Sequence, residues 1–343
     1  MAFEQQRKTR RATARTLSAL LLFGVATGCS DTVDAGESQE EQHTASLLVQ
    51  VSSVHEETGM TLLEGPTFGP DGKLVVVDVT APAEGPKVMK VDIDTQEVST
   101  VFTDSSSAYT SAQFSPYDDR LYLTDFAGGK IDSITPQGDD PTTFFSGDVD
   151  GTPMKPDDLA FDEAGNMYVS DSTGHSDPFW EPQGRVVRID GESAEAIVLA
   201  EELPAPNGIS FDEDYTGLWV SQYAANRIDH LVLNEDGTEV ETAHTGIHFD
   251  GGTSRVDSNA VDAEGNIYQA VHGQPRIHVY SSTGEKLATV GVPSEAAEGV
   301  DTATNVAIEP GTTDAYMTVS GQDGGFVYEF EAFGEGIRQS NGG

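Results

Sequence analysis

The chain has 343 residues, with 18 lysines and arginines against 58 aspartates and glutamates, for a formal net charge of −40 at pH 7. This charge excludes binding to nucleic acid or to an anionic membrane through a basic surface, because both depend on cationic groups that release counterions. The hydrophobic fraction of 37% excludes a disordered chain, since the apolar residues occur in short, regular clusters.

The N-terminus has the three parts of an export signal. Five basic residues lie between positions 7 and 15, an apolar stretch runs over residues 17–26, and small residues follow up to position 28. We predict a signal peptide over residues 1–28, because the apolar stretch is too short to span a membrane. The pair Arg10-Arg11 favours the twin-arginine route, which exports folded proteins. Without this segment the chain keeps 13 basic and 57 acidic side chains, a net charge of −44.

Cys29 is the sole cysteine, and the residues before it resemble a lipoprotein cleavage box. Two interpretations stay open: a surface protein whose membrane contact is a lipid on Cys29, or a secreted protein with an incidental cysteine. Neither allows a disulfide within the chain. Residues 29–45 are polar and acidic, which predicts a tether. Few lysines and a strongly acidic composition predict an exported protein adapted to high salt.

The body of the chain repeats with a period near fifty residues. An apolar residue, a turn rich in Asp and Gly, and an alternating strand recur six times, with the apolar anchors at Phe68, Phe114, Phe161, Phe211, Val261 and Ile308. Short strands joined by tight turns, about four to a unit, are typical of propeller blades. We predict an all-β fold, a six-bladed β-propeller with four-stranded blades over residues 46–336, followed by a tail at 337–343. The strand-like residues 46–51 precede the first unit and are predicted to complete the last blade and close the ring.

Polar residues stand four places before each anchor, where the chain enters the innermost strand of a blade. All six carry a side-chain oxygen: Glu64, Thr110, Asp157, Asn207, Asp257 and Thr304. Equivalent positions of a propeller face the central channel, so we expect these side chains to converge on its axis. Carboxylates brought together there take up protons or share a cation. Oxygen donors favour Ca²⁺, with Mg²⁺ and Mn²⁺ as alternatives, and the opposing interpretation is that these residues only cap turns.

Three stretches resemble the signatures of a known family. They are Leu63-Glu-Gly-Pro66, the stretch around Asn207-Gly208, and the stretch from Val256-Asp257-Ser258 to Gly265. They are similar to those of the senescence marker protein, gluconolactonase and luciferin-regenerating family, and Ser258, where gluconolactonases usually have Gly, favours its drug-responsive lactonase branch. The resemblance implies a six-bladed propeller, an axial divalent metal ion held by Glu64, Asn207 and Asp257, and hydrolysis of lactones or related esters.

The same resemblance implies roles for several further residues. Asp157 or its neighbour Asp158 matches a blade-three residue that faces the metal or the substrate. The drug-responsive branch has a second, structural Ca²⁺, for which Asp148, Asp150 and Thr152 are the candidates. The ion would polarise a lactone carbonyl, and Asp257 would act as acid and base or, alternatively, as a nucleophile.

Two weaker candidates and two other functions remain open. His272 follows the inner strands of blade five and is either a proton shuttle or structural, and residues 172–184 form either a cover over the channel mouth or a plain surface loop. The protein could instead be a non-catalytic propeller that binds a ligand or partner, or a variant that hydrolyses phosphotriesters. We expect a monomer with a small-molecule lactone or ester substrate.

Overall fold

A computed structural model of the chain describes residues 40–338. The predictions for the signal peptide, for Cys29 and for the tether up to residue 39 fall outside the described residues, as do residues 339–343 of the tail.

The described residues form β-strands and one 3-10 turn, at Tyr223–Ala225. Among them, no helix is long and apolar enough to cross a membrane. In chain order the strands are β1 (Glu41–Thr44), β2 (Ser46–Ser52), β3 (Leu63–Phe68), β4 (Leu74–Asp78), β5 (Pro86–Asp92), β6 (Glu97–Thr103), β7 (Tyr109–Phe114), β8 (Leu121–Asp125), β9 (Lys130–Ile134), β10 (Thr142–Ser146), β11 (Asp148–Val149), β12 (Thr152–Pro153), β13 (Pro156–Phe161), β14 (Met167–Asp171), β15 (Gly184–Ile189), β16 (Ala196–Leu203), β17 (Pro206–Phe211), β18 (Gly217–Gln222), β19 (Arg227–Leu233), β20 (Val240–His248), β21 (Arg255–Val261), β22 (Ile267–His272), β23 (Arg276–Tyr280), β24 (Lys286–Gly291), β25 (Thr302–Ile308), β26 (Asp314–Gly321) and β27 (Gly324–Glu331).

The strands are arranged as six blades of a propeller, as the repeat predicts. Blade 1 is β3–β6, blade 2 is β7–β10, blade 3 is β13–β16, blade 4 is β17–β20, blade 5 is β21–β24, and blade 6 is β25–β27 with β2. The first strand of each blade is innermost and lies against the first strands of both neighbouring blades. The pair β11–β12 is a separate short hairpin that precedes blade 3.

The hydrophobic core is divided into six clusters, each shared by two neighbouring blades. Between blades 1 and 2, for example, Val75 and Val77 pack with Ala112, Leu121 and Leu123. Another cluster joins blade 6 to blade 1, so the ring is closed. Each fully buried aliphatic side chain contributes about 1.5–3 kcal/mol, so the alternation of apolar residues in the strands holds the blades together.

The N-terminal segment closes the ring and also corrects one boundary. Strand β2 pairs antiparallel with β27 in blade 6, which confirms the predicted closure. Residues 41–44, which the sequence placed in the tether at 29–45, instead form β1 and pair parallel with β24 as a fifth strand of blade 5. The carboxylate of Glu40 fixes this segment through hydrogen bonds with Thr289 and Lys286. Pairing with an edge strand satisfies backbone groups that a tether would leave to water.

All six innermost strands carry a β-bulge near the channel entrance. In each of them one extra residue is inserted opposite the second strand; the bulges lie at 64–67, 109–111, 156–159, 206–209, 256–259 and 303–305. A bulge interrupts the in-and-out alternation of side chains and turns successive residues toward the same region. These bulges contain or border all six predicted oxygen positions.

Candidate active site

Four carboxylates from three blades approach one another inside the bulges. Glu64, Asp158 and Asp257 are 8%, 1% and 3% exposed, respectively. Burial raises the pKa of Glu64 well above its ordinary value, and the negative charges of Asp257, Asp158 and Asp157 raise it further. Burial and the charge of Asp257 raise the pKa of Asp157 to about 7. The structure therefore brings together the acidic side chains that the sequence placed on the channel axis, plus Asp158.

Asn207 lies between two of these carboxylates. Its Nδ2 donates to Asp157 Oδ2 over 3.3 Å, and a hydrogen bond from Asn207 opposes the rise in the pKa of Asp257. Its other polar atom, Oδ1, is buried and has no hydrogen-bond partner within residues 40–338. The amide thus links blades 3, 4 and 5 and keeps one oxygen free.

Asp257 is paired with His272 at the end of the next strand. The His272 Nδ1 and Asp257 Oδ2 atoms are 3.2 Å apart. This hydrogen bond raises the pKa of His272, and burial raises that of Asp257. The side chain of His272 is 40% exposed, and its ring meets the Tyr223 ring edge to face, with the centroids 5.6 Å apart. The pair therefore connects the buried cluster to the surface.

The remaining predicted residues stabilise the cluster. Thr110 Oγ1 donates to the backbone oxygen of Asp157 over 2.8 Å, and Thr304 Oγ1 donates to the backbone oxygen of Leu63 over 2.6 Å. Ser258 forms a hydrogen bond with the carboxylate of Asp158, which lowers the pKa that burial raises. Thr110 and Thr304 thus use their hydroxyl groups to tie neighbouring blades together beside the acidic residues.

Two site residues were missed by the sequence analysis. Ser172 Oγ donates to Asp157 Oδ2 over 3.1 Å and also bonds to the backbone oxygen of Pro206. Gln222, paired with Pro206 in the ladder, is fully buried, and neither polar atom of its amide has a partner in the described part of the chain. Ser172 directly follows the second strand of blade 3, and Gln222 ends the second strand of blade 4. In both blades this strand end lies opposite the bulge of the first strand, and that is the one signal that could have indicated these residues.

The donor set fits a cation with oxygen ligands. Buried oxygens without hydrogen-bond partners in the described residues include Glu64 Oε2, Asp158 Oδ2 and Asn207 Oδ1. A buried polar atom without a partner costs about 1–3 kcal/mol, and buried carboxylates that repel one another share a cation or a proton. Across residues 40–338, no group of three or more His, Cys, Asp or Glu side chains has positions that would hold a metal ion without rearrangement.

The residues proposed for a second Ca²⁺ lie on the β11–β12 hairpin. Asp148, Asp150 and Thr152 are all exposed. The guanidinium of Arg185 donates to the backbone oxygens of Val149 and Thr152, so a cationic side chain already binds the inner side of this hairpin. The second site remains a prediction.

Comparison with known proteins places the chain among propellers of one family. The family profile described as "SMP-30/Gluconolactonase/LRE-like region" matches residues 62–321. The lactonase drp35 of Staphylococcus haemolyticus is 28% identical over 284 residues, which cover 80% of this chain and 84% of that protein. A gluconolactonase from Xanthomonas campestris has a TM-score of 0.66 at 17% identity, covering 84% of this chain and 97% of its own. The calcium-binding protein regucalcin from Agrobacterium tumefaciens has a TM-score of 0.63 at 16% identity, covering 86% and 99%.

Proposed function

Because this chain belongs to the SMP-30/gluconolactonase/LRE-like family, we propose that it hydrolyses lactones or related esters with the help of a divalent metal ion. The Staphylococcus haemolyticus relative is a lactonase, and the structural neighbour from Agrobacterium tumefaciens is a calcium-binding protein. The observation that carries the proposal is the set of buried oxygens without partners inside the acidic cluster. This set suits Ca²⁺, which prefers several oxygen ligands.

We assign the metal to residues of the acidic cluster and to Asn207. Glu64, Asn207 and Asp257 would hold the ion, with Asp157 and Asp158 as further contacts. A bound divalent ion supplies Lewis-acid polarisation of the ester carbonyl and offsets the negative charge that develops on its oxygen. Its positive charge would also favour the ionised forms of carboxylates whose pKa values burial raises.

The protein's own acid–base pair would be Asp257 and His272. Burial raises the pKa of Asp257, which opposes the decrease that a bound ion would cause and so favours its role as a base. We propose that Asp257 accepts the proton of the attacking water and returns it to the leaving alkoxide. His272 bonds to Asp257 Oδ2 and reaches the surface, so it would orient that oxygen and exchange protons with solvent. Direct attack by Asp257 on the carbonyl is the alternative.

We also propose that the protein is exported and acts in a salty environment. The support is the signal-like segment at residues 1–28 and a net charge of −40, which suits a solvent that screens repulsion between surface carboxylates. Cys29 would provide a lipid anchor if it is acylated.

The experiment is a lactone and ester panel in molar salt. Wild-type protein is measured with Ca²⁺ and after chelation, beside Asp257→Ala and, as a matched control on an exposed turn, Asp236→Ala. We expect turnover in the wild type and in the control, and a loss of at least about 100-fold on chelation or in Asp257→Ala.

Three results would contradict the proposal. Folded, metal-loaded wild type that turns over no lactone or ester would make the protein a ligand-binding propeller. Full activity after removal of Ca²⁺ would remove the metal from the mechanism. Turnover of phosphotriesters in preference to lactones would favour the phosphotriesterase alternative.

A further inference from the structure

A groove lies beside the acidic cluster, between blades 2 and 3. It has a volume of about 560 Å³ and is lined by residues 126–129 of blade 2 and by residues 152–155 and 173–177 of blade 3. Gly129, with a φ of +64°, lets the two loops approach, because a Cβ there would lie 2.8 Å from the backbone oxygen of Met154. The walls are mostly apolar, and Phe126 is the largest of the lining side chains.

The groove is continuous along the chain with the candidate active site. Lys155 precedes Asp157 by two residues at the start of the innermost strand, so their Cα atoms are roughly 7 Å apart. Thr173 follows Ser172, whose hydroxyl is hydrogen-bonded to Asp157 Oδ2 over 3.1 Å. Lys155 and Thr173, which both line the groove, are therefore close to Asp157.

Lys155 gives the groove a positive charge that no carboxylate neutralises. Its Nζ lies 4.7 Å from the centroid of the Phe126 ring, and no carboxylate oxygen of residues 40–338 lies within 4.0 Å of it. Of the other five described lysines, Lys73, Lys90, Lys130 and Lys286 each form an ion pair, and Lys87 donates to the backbone oxygen of Ala81. An unpaired ammonium is notable in a chain with a net charge of −40.

The opposite face of the groove carries aromatic rings and one carboxylate, that of Asp177. His175 meets the Phe126 ring edge to face at 5.2 Å, and burial together with the charge of Lys155 lowers its pKa. The carboxylate of Asp177 is hydrogen-bonded to the Gln183 amide. Beyond them, Phe179 and Trp180 are 57% and 68% exposed and contact each other edge to face.

We propose that this groove is a specificity site that receives a carboxylate-bearing substituent of the substrate, with Lys155 pairing with the carboxylate and Phe126 contacting its apolar stem. The inference rests on the proposed function, since the ester group of the same substrate would lie at the acidic cluster. The overall negative charge of the protein repels anions, so a local ammonium beside an aromatic face is the feature that would admit an anionic substrate.

The kinetic test compares two lactones that differ only in the substituent: a terminal carboxylate or its neutral carboxamide. The readout is the ratio of their kcat/KM values in wild type, Lys155→Gln and Lys73→Gln. The control removes the same charge from an exposed ion pair with Asp92. We expect this ratio to fall about tenfold in Lys155→Gln, because a charge-assisted hydrogen bond is lost, and to stay constant in Lys73→Gln. An unchanged ratio in Lys155→Gln, or equal falls in both variants, would overturn the proposal.

A binding test separates the groove from the reaction. Calorimetric titration with 3-phenylpropanoate and with the neutral 3-phenylpropanamide needs no turnover and is made on wild type, Lys155→Gln, Phe126→Leu and Lys73→Gln. We expect the acid to bind wild type and Lys73→Gln about tenfold more tightly than it binds the two groove variants. Equal affinity of the wild type for the acid and the amide would refute the proposed carboxylate site. Equal affinity of wild type and Lys155→Gln for the acid would refute it as well. If the acid binds in a manner that depends on Lys155 but the protein has no lactonase activity, the carboxylate site is supported and the proposed function is refuted.

Discussion

Gly208→Ala tests whether close packing of the innermost strands sets the geometry of the site. Gly208 follows Asn207 in the bulge of blade 4. A Cβ on this residue would lie 2.7 Å from the Asn259 nitrogen and from the Ser258 Cα, and 2.8 Å from the backbone oxygen of Asp257. All three are backbone atoms of the blade 5 bulge, so no side chain can rotate away to make room.

The size of the effect follows from these contacts. Non-bonded carbon contacts are favourable at about 3.5–4.0 Å, so the two strands must separate by roughly 0.8 Å. Overpacking of this kind costs about 1–3 kcal/mol. For a folded unit of about 300 residues, the entropy of unfolding is near 0.6 kcal/mol/K, which gives a fall in Tm of about 2–5 °C. The same movement takes Asn207 away from Asp257, and we expect Ca²⁺ affinity to fall at least about tenfold.

The assay measures Tm by calorimetry and Ca²⁺ affinity by titration in molar salt. The matched control is Gly291→Ala, because Gly291 is at the end of β24 and a Cβ there meets nothing within 4 Å. We expect the control to match wild type in both measurements. Wild-type Ca²⁺ affinity in Gly208→Ala would refute the reasoning, since a displaced Asn207 would then make no difference to the ion.

The N-terminal strand, a buried ion pair and the acidic cluster each give a further expectation. A chain that begins at Ala45 lacks residues 40–44 and its Tm should fall by about 3–6 °C relative to a chain that begins at Glu40, because several backbone hydrogen bonds are lost; equal Tm values would contradict this. Arg185→Met leaves the buried carboxylate of Asp171 unpaired and should lower stability by about 3–5 kcal/mol in denaturant titrations, whereas a change below about 1 kcal/mol would argue against the pair. With chelator present, the Tm of wild type relative to Asp157→Asn should fall as pH rises from about 4 to 7, since the pKa of Asp157 is raised from 3.8 to about 7 in the folded chain and its carboxyl then binds more protons than in the unfolded chain; a Tm difference that stays constant or rises over this range would refute that cause.

The sequence predicted the propeller because its repeat is local. Each unit carries its own apolar anchor and turn, so Glu64 and Asp257 could be aligned from spacing alone. Strand β1 could not be predicted, because residues 41–44 are polar and their partner strand β24 lies more than 240 residues away. The positions of Ser172 and Lys155 depend on loops, whose course is set by contacts between blades rather than by alternation.

The bulges explain why spacing alone indicated one carboxylate too few in the acidic cluster. In a regular strand Asp157 and Asp158 would point to opposite faces, so a choice between them would be required. The bulge at 156–159 removes that choice, and both carboxylates contribute to the raised pKa of Glu64. Hydrogen bonds and positive charges around surface acids have the opposite effect: contacts with Lys73 and Thr95 lower the pKa of Asp92 to about 2. The direction of the pKa shift therefore separates the acids gathered at the channel from Asp92, whose contacts stabilise its charged form.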